Sequence, residues 1–130
     1  MPATYIDSSA ILKLAVAEAE SAALRAYLRR RRPLVCSTLA RTEVLRALLP
    51  EGDEAVQRGR VVLARLDLIR MTDRILGTAG TLLPATVRSL DAIHLATALE
   101  LGADLVRVVT YDVRMAEAAR QLGLRPYSPS

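Results

Sequence analysis

Apolar residues in this chain recur with two periods, and the two alternate along its length. Short apolar or β-branched runs at Thr4–Ile6, Pro33–Ser37, Leu105–Thr110 and Leu124–Tyr127 read as strands. Between them, helical spacing predicts helices from Ala10 to about Ala19, Ser21 to Arg31, Glu54 to Ile69, Ser89 to Leu99 and Val113 to Leu122. Thr38 is the expected cap of a further helix that runs to about Leu49 and ends in the turn Pro50–Asp53. A short strand is expected near Arg70–Thr72, and Asp73–Leu83 reads as a helix interrupted by Gly77 and Gly80 and broken by Pro84. Strands alternating with helices predict one α/β domain over 1–130, a sandwich with a mainly parallel central sheet.

One helix breaks the polar–apolar alternation. Between Arg88 and Glu100 the only acid is Asp91, in a run of Leu, Ile, Ala and Thr with one His. Apolar residues on nearly every face predict burial on most sides, and a carboxylate there is costly unless compensated. Helix capping supplies one compensation. With Ser89 as N-cap and Gly102 closing the far end, Asp91 falls in the first turn, where the helix dipole favours an anion.

Composition narrows the field of functions. The chain has four Tyr, no Phe and no Trp, so the core is aliphatic and stacking platforms for single-strand binding are not expected. Its net charge is +4, and every basic residue but Lys13 is Arg. That balance suits an anionic partner, although a GC-rich coding bias produces the same composition. The run Arg29–Arg32 at a helix end complements the dipole and reads as solvated surface before it reads as an RNA contact. Cys36, the single cysteine, excludes an intrachain disulfide and a cysteine metal cluster; it is expected in the core. Without a signal-like leader or an apolar run of roughly 18 residues, a cytoplasmic, non-membrane protein is expected.

The acids carry the chemistry. Asp7 and Asp112 each stand just past a strand and just before a helix. Either alone is explained as an N-cap, but in a parallel sheet the strand C-termini share one edge, where sites of open α/β folds form. Asp91 starts at the same level if its helix enters from that edge. Glu43 lies inside a helix, where capping does not account for it; the ordinary alternative is a surface pair with Arg46. Four carboxylates facing one another repel unless a hard divalent cation sits among them, and oxygen-only ligands select Mg²⁺ or Mn²⁺ over zinc. Such ions activate water and stabilise the leaving oxygen of a phosphodiester.

Four segments carry a resemblance. Tyr5–Ala10, Arg41–Val44, Leu90–Ala98 and Val109–Asp112 resemble, in order, the acidic segments of the PIN-domain nucleases, in particular the VapC toxins of toxin–antitoxin pairs. The resemblance spans essentially the whole chain. It implies a three-layer α/β/α sandwich in which Asp7, Glu43, Asp91 and Asp112 form a Mg²⁺- or Mn²⁺-dependent endoribonuclease site. It also implies products with a 5′-phosphate and a 3′-hydroxyl, a homodimer, and a cognate VapB antitoxin that inserts a C-terminal segment near the site. Asp7 and Asp112 would hold the principal ion, with Glu43 and Asp91 completing its shell directly or through water. Ser8 and Thr110 are candidates to hydrogen-bond a carboxylate, His94 is expected to be packed or hydrogen-bonded within its helix, and Arg114 reads as exposed. Val113 departs from the basic residue that many relatives carry after this acid. A non-catalytic PIN-fold module that binds RNA or protein is the alternative. The Glu54–Ile69 helix and the first two helices carry the apolar surplus expected of a dimer or antitoxin surface.

Overall fold

Two strands dictate the centre of the molecule. Ala3–Ile6 (β1) and Leu34–Ser37 (β2) are buried at every position, as parallel strands are when helices cover both faces. The computed structural model describes residues 1–130. Three further strands, Asp67–Ile69 (β3), Leu105–Val109 (β4) and Pro126–Tyr127 (β5), complete a five-stranded sheet in the order β3-β2-β1-β4-β5. All its pairings are parallel; Tyr5 of β1 lies between Val35 of β2 and Val108 of β4.

Seven α-helices connect the strands: Ser8–Ala15 (α1), Ser21–Leu28 (α2), Ala40–Leu48 (α3), Asp53–Ala64 (α4), Asp73–Gly80 (α5), Ser89–Glu100 (α6) and Val113–Gln121 (α7). Right-handed crossovers put α1–α4, on the path outward from β1 to β3, against one face. The return path through β4 to β5 puts α5–α7 against the other. The result is the expected α/β/α sandwich. Its larger core gathers Ile6, Ile11, Leu24, Val44 and Leu48 from the sheet and α1–α4, and a smaller one joins Leu95 of α6 to Met115, Ala118 and Ala119 of α7. The strand order reverses at β1 and β4. That switch point is where open α/β sheets form their clefts.

Several boundaries differ from those the sequence predicts. The helix expected from Glu54 to Ile69 ends at Ala64, and Asp67–Ile69 is strand, in place of Arg70–Thr72. Leu68 pairs with Cys36 in β2, so sheet pairing overrides the helical spacing of these residues. The first helix stops at Ala15 instead of about Ala19; Glu18 and Glu20 fold back to hold Lys13, each at 2.9 Å. Thr38 caps nothing with its side chain: α3 follows Leu39, which makes no side-chain cap, and Ser37 Oγ receives the Leu39 N–H. Ser89 is the first residue of α6 instead of its cap, a position held by Arg88 without a side-chain bond, while Asp91 keeps its first-turn place. The large apolar residues of α1, α2 and α4 are buried or half-buried against the larger core, Val61 of α4 excepted, and exposed leucines stand at Leu49 after α3 and at Leu76, Leu83 and Leu90 on and between α5 and α6.

Two helical glycines separate packing from propensity. A Cβ on Gly59 of α4 would stand 2.5 Å from Leu48 Cδ1 in the core, whereas one on Gly77 of α5 would meet nothing within 4 Å. Overpacking costs about 1–3 kcal/mol and the helix gain from Gly to Ala is about 1 kcal/mol. Gly59→Ala is therefore expected to lower the unfolding free energy by about 1 kcal/mol and Gly77→Ala to raise it by about 0.5–1 kcal/mol. Urea denaturation of the two variants checks the opposite signs.

Candidate active site

Residues that end strands and begin helices build the site. Asp7 follows β1 in extended conformation and caps α1, its Oδ1 accepting the Ala10 N–H at 3.1 Å. It is only 3% exposed. Three hydroxyl and amide donors compensate for that burial: Ser9 Oγ donates to Oδ1 at 2.6 Å, Thr110 Oγ1 donates to Oδ2, and Ala10 supplies the backbone bond. Burial pushes the Asp7 carboxyl above its ordinary range, and the Ser9 and Thr110 hydroxyls, the His94 charge and the Ala10 amide pull back against it.

Asp112 stands across the switch point at the start of α7. Its Oδ1 accepts the backbone N–H groups of Arg114 at 2.9 Å and Met115 at 3.2 Å, and its own N–H donates to Thr110 Oγ1 at 3.0 Å. Thr110 thus ties the two capping aspartates together. Ser9 strengthens the tie by accepting the Tyr111 N–H at 2.9 Å. Cap and site residue are the same side chain at both positions.

Glu43 is not the surface acid that pairing with Arg46 would make it. From the first turn of α3 its Oε1 accepts from Ser8 Oγ at 2.6 Å and from His94 Nε2 at 2.6 Å. His94 is itself buried, and its Nδ1 lies 2.7 Å from the hydroxyl of Tyr5 in the central strand. Burial disfavours a charged imidazole, but the Cys36 sulfur and the Glu43 carboxylate outweigh it and push His94 up to about 10. In the charged ring both nitrogens donate, Nδ1 to the Tyr5 oxygen and Nε2 to Glu43. Burial works in the opposite direction on Glu43, yet the His94 bond and charge and the Ser8 hydroxyl hold it below the usual carboxylate range.

Asp91, one turn before His94, differs from the other three acids. It is half-buried at the start of α6, and what acts on it is burial and neighbouring charge with no hydrogen bond among the influences. Burial and then the Asp112 charge push its carboxyl up, with Asp7 and Glu43 adding to the shift and His94 opposing it. All four sequence-predicted acids therefore converge on one sheet edge. They do not close up: no three His, Cys, Asp or Glu side chains are drawn together tightly enough to hold a metal ion as they stand. Repulsion among like charges favours that spacing. The donor set is nonetheless all oxygen. Both Asp91 oxygens, Glu43 Oε2 and Asp112 Oδ2 remain uncommitted by the bonds above, which fits a hard divalent cation.

Ser8 and Thr110 hydrogen-bond site carboxylates as the sequence suggests, Ser8 on Glu43 and Thr110 on Asp7. Ser9 and Tyr5 were not legible. The Ser8–Ser9 pair after Asp7 was the available signal for Ser9, since adjacent hydroxyls after a cap point to different neighbours. Tyr5 reads only as a strand residue until its partner is placed. His94 is the buried, hydrogen-bonded histidine expected, with the addition that its partner is a site acid.

Comparison with known proteins agrees with this geometry. The PIN domain family matches residues 4–121. Ribonuclease VapC46 of Mycobacterium tuberculosis is 59% identical over 130 residues, all of both chains. Ribonuclease VapC35 of the same organism is 45% identical over 132 residues and 96% of each chain. Among solved structures, Mycobacterium tuberculosis VapC20, described as a sarcin-ricin loop cleaving toxin, superposes with a TM-score of 0.79 over 97% of this chain and 99% of its own at 16% identity. A toxin–antitoxin complex from Klebsiella pneumoniae gives 0.68 over 87% and 89% at 19% identity. Those two likenesses concern the fold. With the full-length identities and the acids at the switch point, they lead to one conclusion: the chain belongs to the PIN-domain family, among the VapC-type ribonucleases.

Proposed function

We propose that this protein is an endoribonuclease toxin that hydrolyses RNA phosphodiester bonds with Mg²⁺ or Mn²⁺ and is held in check by a VapB-type antitoxin. The observation that carries the reading is Asp91, a half-buried carboxylate set among three other acids without a hydrogen-bond donor of its own. Such a group is costly in a fold and useful in a metal site. Full-length relatives that bear the name ribonuclease support the substrate class, and the toxin–antitoxin neighbour supports the partner. Asp7 and Asp112 would hold the principal ion, with Glu43 and Asp91 completing its shell. When bound, a divalent cation lowers the pKa of a water and neutralises charge on the phosphoryl oxygens.

The chain's own residues do the rest. Ser9, Thr110 and the Ala10 amide fix the Asp7 carboxylate so that no rotamer search precedes binding. His94 keeps Glu43 ionised and aimed, and Tyr5 anchors His94 to the central strand. Asp91 keeps both oxygens free of hydrogen-bond donors and so available to the ion or to a water on it. The protein would work in the cytoplasm; no helix is long and apolar enough to cross a membrane. It would also pair with a second copy through the exposed leucines around α5 and α6, Leu76, Leu83 and Leu90.

Cleavage assays test the reading. Wild-type protein with Mg²⁺ should cut RNA to leave 5′-phosphate and 3′-hydroxyl ends. Asp112→Asn should lower the rate by roughly 10²-fold or more while the melting temperature stays unchanged, because Asn caps a helix as well as Asp does. Binding of RNA without Mg²⁺-dependent cleavage would favour the non-catalytic module instead.

The His94–Glu43 pair makes stability depend on pH with a fixed sign. A group whose pKa rises on folding stabilises fully below its unfolded value, about 6.5 for His, and loses that contribution as pH climbs toward about 10. Urea midpoints should therefore fall between pH 6.5 and 10 more steeply in the wild type than in His94→Asn. Equal slopes would remove the charged His94 from the account. For the dimer, light scattering should give twice the chain mass for the wild type and one chain mass for Leu83→Glu; a monomeric wild type would exclude that contact.

A further inference from the structure

A groove of about 420 Å³ opens beside Asp91, walled by the 84–88 segment and the start of α6 on one side and by α7 on the other. Arg88 and Asp91 line the first wall; Val113, Arg114, Glu117 and Gln121 line the second. We propose that this groove seats the backbone of single-stranded RNA next to the cleaved bond, with Arg88 and Arg114 as its phosphate contacts. The inference rests on the ribonuclease reading and says where the strand lies.

Both guanidinium groups are available. The ion pairs of the molecule engage Lys13, Arg74, Arg120, His94 and the N-terminus, so neither Arg88 nor Arg114 is bound to an acid, and both are exposed. Their places in the chain hold them at the site: Arg88 immediately precedes α6, three residues before Asp91, and Arg114 lies two residues past Asp112. Three other Arg-bearing grooves, around Arg25, Arg29, Arg32 and Arg65, around Arg41 and Arg60, and around Arg125, are lined by none of the four acids. A strand laid between Arg88 and Arg114 therefore brings a phosphodiester up to Asp91, which an RNA seated elsewhere would not do.

Charge and size decide the ligand class. An acidic peptide would satisfy the arginines but bring further carboxylates up to Asp91, which makes no ion pair, and to Glu117, whose partner is Arg120. A phosphodiester approaches Asp91 in the state in which the proposed cation shields it. The volume falls within the range of small-ligand clefts, ~300–1,000 Å³, which suits an unstacked strand and not a duplex. No aromatic side chain lines the groove, so affinity should come from phosphate contacts and show as salt dependence.

The test is a fluorescence-anisotropy titration of a labelled single-stranded RNA hexamer pool. It uses the full-length wild-type protein and a cleavage-resistant phosphorothioate-linked pool, in Mg²⁺ buffer from 50 to 300 mM salt. Each phosphate contact to a single strand contributes about 0.7 to the slope of log K against log salt. Arg88→Ala or Arg114→Ala should each lower the slope by about 0.7, and the double variant by about 1.4. Arg114→Lys should keep the wild-type slope, and Arg29→Ala, on a distant surface, should change nothing. Unaltered melting temperatures establish that the variants fold. An unchanged slope in the double variant, or an equal loss in Arg29→Ala, would overturn the inference. Capture of a poly-glutamate peptide that depends on the two arginines, with RNA binding indifferent to them, would overturn it as well. Cleavage by the wild type is scored separately. If it cuts RNA while the arginine variants bind and cut like it, the groove is wrong and the ribonuclease reading stands.

Discussion

Everything at this site depends on the tolerance of four negative charges at one sheet edge. In a fold with no use for them, Asp7 would be a buried carboxylate and Asp91 an unpartnered one, both costly. Two of the four are made inexpensive by local structure. Asp7 and Asp112 each begin a helix and accept backbone N–H groups there, so the parallel topology that brings strand ends together also supplies donors for the acids at those ends. Glu43 is compensated by a different device, a cation: buried His94, itself fixed by Tyr5 of the central strand. Asp91 alone has neither.

This division of labour explains why the site can be preorganised and still open to a ligand. Hydroxyls from Ser8, Ser9 and Thr110 hold the inner oxygens of Glu43 and Asp7, and the α7 amides hold one oxygen of Asp112. Both Asp91 oxygens, Glu43 Oε2 and Asp112 Oδ2 accept none of these bonds, and the repulsion among the four charges is what a hard cation would relieve. Burial first, and then the charges of Asp112, Asp7 and Glu43, raise the pKa of Asp91 against the pull of His94, so part of that shift is this repulsion.

Much of this was legible in the sequence, and the illegible parts have a common cause. The apolar and β-branched strands β1, β2 and β4 announce themselves by composition, and Asp7 and Asp112 by standing between strand and helix, so the sheet edge could be assembled on paper. The edge strand β3 could not. Leu68 and Ile69 fit a helix until pairing with β2 claims them, and no local signal encodes that pairing. His94 and Tyr5 were obscure for the same reason: they lie 89 residues apart in the chain and 2.7 Å apart in space. Glu43 was placed in the site by resemblance and by the failure of the capping explanation; only the fold shows the histidine that makes its burial tolerable. The caps at Thr38 and Ser89 failed because neighbouring residues took the turn, a matter of one position that composition does not resolve.

The central claim is that Asp91 is tolerated because it shares a divalent cation with Asp7, Glu43 and Asp112. Calorimetric titration of Mn²⁺ into the RNA-free protein tests it directly. The account predicts saturable binding that weakens as pH falls and the carboxylates protonate, and that is lost or strongly weakened in Asp91→Asn while that variant melts at or above the wild-type temperature without metal. Mn²⁺ binding of wild-type strength in Asp91→Asn, or a large drop in its melting temperature, would contradict the claim and return Asp91 to an ordinary structural acid.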